Sequence, residues 1–256
     1  MEFLNNNDFI VIFRKGTAIG DQLCMSAIIR KVKEFYNKKI IIITSYPDLF
    51  KFNPHVYKII NYNNLEKSVR LKIRANKNII NFFFDWTVSK EKKSLIEHHS
   101  SNLKNISFKN CLPQIYIQEN EINEFEKKFT LPTQYYLIIS QTKNKTASII
   151  KDFGFNNYQY IIDKTKDKIN WVQTGVLSDR ILNNTNLNLC GKTSLRELFI
   201  LVNKASAVFG SEGFLTHICA AFNVKNYCIT SDFIYPELSP YPNKITIQRN
   251  NSHQEV

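Results

Sequence analysis

The chain has 256 residues, 43% of them hydrophobic, enough for one large domain or two of ordinary size; its 34 Lys and Arg against 22 Asp and Glu give a formal net charge of +12. Such a charge suits nucleic acid, an anionic membrane or a phosphorylated substrate, but the basic residues are scattered, with neither a recognition-helix pattern nor a Gly and aromatic RNA signature, so nucleic-acid binding is set aside. Five cysteines (Cys24, Cys111, Cys190, Cys219, Cys228) form no close metal-ligand pair, and no run approaches the roughly 18 apolar residues that span a bilayer, so a reduced, cytoplasmic chain is expected.

From Phe9 to Phe13 a short apolar run predicts a strand buried on both faces. After a break at Gly16 and Gly20, a helix is predicted: Met25, Ile28, Ile29, Val32, Phe35 and Tyr36 recur at helical spacing, opposite Arg30, Lys31, Lys33 and Glu34. Asp21 stands at the break, where a helix N-cap is expected and where open α/β folds keep their ligands. On these residues alone it is either a cap or a functional carboxylate. "KKIIIITS" and "HVYKIINY" read as further strands, "LEKSVRLKIRA" as a helix and "NIINFFFDW" as another strand. "SKEKKSLIEHHSSNL" reads as a polar-faced helix; its adjacent His98 and His99 point about 100° apart and cannot easily share a metal ion, so a solvated face is expected there. The N-terminal half is therefore a parallel sheet with helical crossovers.

"LPQIYIQENEINEFEKKFTLPTQ" has a Pro at each end of a polar, helical middle and is the best candidate for a connection, with the boundary near Leu131 and domains over residues 1–130 and 131–256. A second α/β series follows. "YYLIIS" is a strand, "NNYQYIIDKTK" a helix, "KINWVQTG" a strand, and "SLRELFILVNKA" a helix with capping-box spacing at Ser194 and Glu197. "AVFGSEGFLTHICAAF" repeats the opening theme of strand, glycine break and helix, and "NYCIT" is a further strand. Helix N-termini at such breaks suit phosphate, yet neither break has the spacing of a P-loop or of the dinucleotide fingerprint, which sets kinase and NAD chemistry aside.

"FRKGTAIGDQLCMSAIIRKVKEFY" with the later "NPHV", "LCGKTSLRELFILVNKASAVFGSEGFLTHICAAF", and more weakly "IIKDFGFNNYQYII" resemble glycosyltransferase family 9, the ADP-heptose:lipopolysaccharide heptosyltransferases and their relatives. The resemblance implies a GT-B architecture, two Rossmann-like domains facing across a cleft, with the acceptor mostly on the first and the nucleotide-sugar donor mostly on the second. It implies an inverting, metal-independent transfer of heptose or a related sugar to a hydroxyl of a surface glycan such as lipopolysaccharide or capsule. No cofactor is implied beyond the donor substrate, ADP-heptose or another NDP-sugar. The acceptor can be lipid-linked and met by peripheral contact with the inner membrane.

By the same resemblance Asp21 is the general base and Lys151 neutralises leaving-group charge. Ser211, Glu212, Gly213 and His217 hold the pyrophosphate at a helix N-terminus, Asp179 meets the donor ribose, and Gly20, Lys192 and Thr193 complete the donor side. The family's loop reads Asp, Ser or Thr, Gly where this chain has Ser211, Glu212, Gly213, which leaves the donor's identity open. Read without the family, His217 is a helix histidine with a satisfied hydrogen bond, Asp179 an exposed loop charge, and Thr193 or Ser194 a helix cap. The alternative function is a noncatalytic GT-B-like protein that binds a nucleotide sugar or glycan.

Overall fold

A computed structural model describes residues 6–14, 16, 18–83, 90–140, 151–230 and 235–248. The chain forms two compact units, Met1–Tyr116 with Glu237–Ser239, and Ile117–Pro236 with Pro240–Val256.

In the first unit β1 (Phe9–Phe13), β2 (Lys39–Thr44), β3 (Val56–Asn61) and β4 (Ile80–Asn81) form a parallel sheet in the order β3-β2-β1-β4. The four isoleucines Ile40 to Ile43 are buried without alternation, as befits a strand covered on both faces. Val11, Phe13, Ile41 and Ile43 meet Tyr62, Ile73 and Ile79 in one cluster. The helix predicted after the glycine break comes in two pieces, α1 (Ile19–Cys24) and α2 (Ser26–Tyr36). Ile28, Ile29 and Val32 of α2 are buried as expected, but Phe35 and Tyr36 are exposed and pack edge-on against each other instead. The strand expected over "NIINFFFDW" pairs only at β4, and residues 84–86 of it lie outside the described residues.

Further along, α3 (Lys67–Ala75) is the predicted helix, whereas the expected solvated face around His98 and His99 is absent. The helix there, α4 (Leu95–His99), has five residues, too few for two distinct faces, and buries both histidines with Leu95 and Ile96. Its charged run, Lys90 to Lys93, is exposed ahead of the Ser94–Glu97 capping box that starts it.

The second unit begins with α5 (Glu119–Lys128), the helix expected to connect the halves. It is tied to α7 (Leu195–Lys204) by Arg196, which donates to both oxygens of Glu121 at 2.9 and 2.6 Å, and by the pairs Lys128–Glu197 and Lys204–Glu126 at 2.7 and 2.6 Å. The compact units therefore divide after Tyr116, ahead of α5, where the polar composition had pointed to Leu131.

The second sheet is also parallel among the described residues. It holds β5 (Tyr136–Ile138), β6 (Trp171–Gln173), β7 (Leu187–Asn188), β8 (Ala207–Ser211), β9 (Asn226–Thr230) and β10 (Lys244–Gln248), in the order β10-β9-β8-β5-β6-β7. With α6 (Phe155–Thr165) and α8 (Phe214–Phe222), these are the elements read from sequence, plus two edge strands, β7 and β10, that are too short or too exposed to announce themselves. Its core gathers Ile138, Tyr158, Ile162, Trp171, Leu182, Phe209 and Ile229.

In each unit the first strand has neighbours on both sides, β2 and β4 around β1, and β6 and β8 around β5. Such a reversal of strand order opens a crevice outside the carboxyl ends of the strands, which is where ligands bind in open α/β sheets. Among the described residues no helix is long and apolar enough to cross a membrane.

Candidate active site

The crevice of the first unit is formed where the chain leaves β1. Arg14 follows the strand directly, and Gly16 turns the backbone at φ +108°, a left-handed conformation that favours glycine. The turn is held from behind by Gln22, fully buried, whose amide donates to the Gly16 carbonyl at 2.7 Å and accepts from the Thr44 hydroxyl and, at 3.2 Å, from the Ser45 amide at the end of β2.

Asp21 is not the helix cap expected for it. Ala18 occupies that position without a side-chain bond, and Asp21 lies in the first turn of α1, as does Gly20. A carboxylate there sits in the positive end of the helix dipole. Its Oδ2 pairs with the Arg14 guanidinium, and His99 Nε2 stands 3.6 Å from the same oxygen, close enough for charge interaction but not for a direct hydrogen bond. Oδ1 makes no hydrogen bond or ion pair among the described residues. The Asp21 side chain is 23% exposed while those of Arg14 and His99 are 6% and 1% exposed, so the carboxylate alone of the three is open to a ligand. Aromatic rings complete the wall: Phe82 and Phe83 flank His99 at 5.1 and 6.3 Å between centroids, and Phe83, itself exposed, lies 4.9 Å from the Arg14 guanidinium.

Burial pushes the Asp21 pKa up, but His99 and Arg14 outweigh it and hold the carboxyl at about 2. A folded-state pKa below the unfolded value stabilises the fold at neutral pH, and the contribution disappears as pH falls. From the drop of 3.8 to about 2 it amounts to about 2 kcal/mol, complete above roughly pH 5 and lost as pH falls through 4 towards 2. Thermal melts across that range are expected to show this acid limb in the wild type and a flatter one in Asp21→Asn.

In the second unit β8 ends at Ser211, beside β5, and the next residues open α8. Lys151 donates to Glu212 Oε2 at 2.6 Å. Glu212 is buried, which alone would raise its pKa, yet the charges of Lys151, His217 and Lys244 hold it below the usual carboxylate range. Buried His217 shares a hydrogen bond of 2.8 Å between Nδ1 and the Tyr241 hydroxyl, and Ser211 one of 2.9 Å with the Tyr158 hydroxyl. The expected Lys151, Ser211, Glu212, Gly213 and His217 thus meet at one helix N-terminus on the crevice between β5 and β8.

Gly20, expected on the donor side, lies instead in α1 of the first unit, whereas Asp179, Lys192 and Thr193 lie in loops after β6 and β7 and make no hydrogen bond or ion pair with the Lys151–Glu212 pair among the described residues. Asp179 is 6% exposed, so it is not a loose surface charge: burial raises its pKa, while the Val176 amide donating to Oδ2 at 3.0 Å works the other way. A Cβ at Gly175 would press on the Asp179 carboxylate, so a side chain there would have to displace it. The loop is anchored by buried Gln173, which accepts from the Leu182 amide and donates to the Arg180 carbonyl, each at 2.8 Å. Lys192 is exposed and donates to the Asn188 carbonyl at 2.9 Å, Thr193 is half-buried, and Ser194, rather than Thr193, caps α7.

Sequence reasoning missed Arg14, His99, Tyr158 and Tyr241. Only Arg14, directly after the first strand, carried a signal that could have found it.

Residues 93–255, well over half of the chain, match the profile of Glycosyltransferase family 9 (heptosyltransferase). No curated protein matches the chain. Among solved structures it is similar to a glycosyl transferase family 9 protein from Veillonella parvula DSM 2008, at 12% identity and TM-score 0.72, covering 94% of this chain and 86% of that one. It is also similar to E. coli ADP-heptose lps heptosyltransferase II, at 14% and 0.68, covering 93% and 90%. A third is the iron-containing dodecameric glycosyltransferase TibC of enterotoxigenic E. coli H10407, at 13% and 0.69, covering 92% of this chain and 61% of that one. At these identities the likeness concerns the fold, two parallel-sheet α/β units of the GT-B type.

Proposed function

We infer the activity from the family: the chain belongs to glycosyltransferase family 9, and it is a glycosyltransferase. Within that class we assign it the inverting transfer of heptose or a related sugar from ADP-heptose or another NDP-sugar to a hydroxyl of a bacterial surface glycan such as lipopolysaccharide or capsule. The first unit takes the acceptor and the second the donor. The observation that carries this reading is the Asp21 carboxylate, with Oδ2 paired to buried Arg14 and faced by buried His99, and with Oδ1 making no hydrogen bond or ion pair among the described residues.

Asp21 Oδ1 accepts the proton of the acceptor hydroxyl while that oxygen bonds to the anomeric carbon from the face opposite the leaving nucleotide. A carboxyl held at about 2 is a weak base, but it is fully ionised at neutral pH. The attacking hydroxyl becomes strongly acidic only as its bond to carbon forms, so proton transfer comes late and a weak, well-placed base suffices. The bond from the anomeric carbon to the diphosphate oxygen breaks in the same step. The charge left on that oxygen falls to Lys151 and to the N–H groups at the start of α8, which supply the fixed positive potential such a leaving group needs. Asp179 serves the donor ribose, and Lys192 and Thr193 border the same edge.

With that potential in place the transfer is assigned no metal ion and no cofactor, a point that the iron-containing relative makes worth testing. A lipid-linked acceptor would be met by peripheral contact of the lysine-rich surface with the membrane, which co-sedimentation with anionic vesicles tests. Donor class is checked by thermal shift against ADP, GDP, UDP and CMP, with and without a chelator. ADP should raise the melting temperature most, to the same extent in both conditions, since a ligand bound to the native state stabilises it by mass action. No shift with any nucleotide would contradict the donor assignment, and a shift abolished by chelation would contradict metal independence.

A further inference from the structure

We propose that His99 is a positioning residue for the catalytic carboxylate: it faces the same Asp21 oxygen that Arg14 pairs with, and so favours the orientation in which the other oxygen is turned out to meet the acceptor hydroxyl. The proposal rests on the reading of Asp21 as the base, and on geometry that sequence periodicity gave no reason to expect.

His99 reaches Asp21 from a separate element. Its helix α4 is fixed at the start by the Ser94–Glu97 capping box and at the end by the Ser100 hydroxyl, which donates to the Ile96 carbonyl at 2.7 Å. The imidazole lies against Phe82, fully buried just past β4, so its Nε2 faces the Asp21 carboxylate at 3.6 Å from inside the fold. At 1% exposure the ring cannot touch a substrate. Among the described residues, the group of the proposed chemistry that it faces is Asp21.

An ion pair from Arg14 alone would hold the carboxylate by one edge and leave its plane free to swing. A second polar group 3.6 Å from the same oxygen, on a different element, biases that plane by electrostatic attraction and favours one oxygen outward. Among the described residues, the charged or titratable groups around this centre include Arg14 beside Asp21, and His98, Lys93, Glu91 and Glu97 on the approach to α4. Burial of His98 lowers its pKa and the Lys93 and His99 charges lower it further, so its contribution to the field at neutral pH is small.

The test is a carbon-13 titration of the aspartate carboxyls in the full chain, comparing wild type with His99→Phe and His99→Gln. His99→Phe keeps an aromatic ring against Phe82 and removes the imidazole nitrogen, so the Asp21 titration should move up by about one pH unit, the scale of one lost favourable neighbour. His99→Gln restores an N–H near the same oxygen and should fall between that and the wild type. In turnover of ADP-heptose, His99→Phe should lower kcat, leave the donor KM unchanged and shift the acid limb of the pH profile upward with the titration. An Asp21 titration identical in His99→Phe and wild type would overturn the proposal. Should His99→Phe fail to fold, His99→Gln decides by the same titration, an unmoved Asp21 there refuting it. Because the titration needs no substrate, a moved Asp21 in a protein that turns over no nucleotide sugar would count against the proposed activity and not against the role of His99.

Discussion

Asp21→Asn is expected to lower turnover of the nucleotide sugar by roughly 10²-fold or more, the usual cost of losing a general base, while donor affinity stays near the wild-type value. The substitution keeps size and shape and removes the charge and the lone pair that would receive the proton. It also replaces the ion pair between Asp21 and the buried Arg14 guanidinium by a neutral contact, so some loss of stability is expected as well. The two effects separate experimentally. Turnover is measured at a temperature where melting curves show both proteins folded, and donor affinity by calorimetry. A variant that melts lower but turns over like the wild type would reduce Asp21 to a structural partner of Arg14 and His99.

Lys151→Ala is expected to lower turnover by about 10² to 10³-fold, the range found when one preorganised group facing a developing anion is removed, and to weaken binding of ADP. A second consequence follows from Glu212. That carboxylate is 4% exposed and held ionised by Lys151 first among the charges around it, so removing the lysine takes away the largest favourable charge and leaves the weaker support of His217 and Lys244. The sign follows from its lowered pKa: the pair stabilises the fold above the unfolded carboxyl pKa, and that stability is lost as pH falls. The melting temperature of Lys151→Ala should therefore lie well below the wild type at pH 7, and the gap should narrow on acidification. Lys151→Arg, which keeps the charge, should restore most of the stability. Unchanged ADP affinity together with unchanged turnover in Lys151→Ala would remove the lysine from the donor site.

Much of the fold was legible because buried parallel strands write themselves as short, unbroken apolar runs rich in β-branched residues, as at Phe9 to Phe13 and Ile40 to Ile43. The edge strands were not. β7 has two residues, and the half-exposed β10 carries too little apolar bias to stand out. The placement of α5 was hidden for a different reason. Its polar surface suggests a linker, but Glu121 and Glu126 serve Arg196 and Lys204, partners some 75 positions away that no local pattern reveals.

At the site, the donor loop could be read from its glycine and histidine spacing, since the residues that meet at the start of α8 are close in sequence. Lys151 needed the family resemblance to be found. Asp21 was identified for its position at the break, where cap and functional carboxylate both stood open; the cap position belongs to Ala18, one turn of helix earlier. His99 was placed wrongly because adjacent histidines in a lysine-rich run look solvated. A five-residue helix buried against two phenylalanines has no periodicity to correct that impression.

The most direct measurement is ADP release from ADP-heptose by the full chain, followed with and without heptose-deficient lipopolysaccharide and in parallel with Asp21→Asn. Release that depends on the acceptor, comes with a heptose-sized mass gain on the glycan and collapses in the Asn variant is the predicted result. Tight ADP binding with no release in the wild type, across NDP-sugars and acceptors, would contradict it and mark the chain as a nucleotide-sugar-binding protein without transferase chemistry.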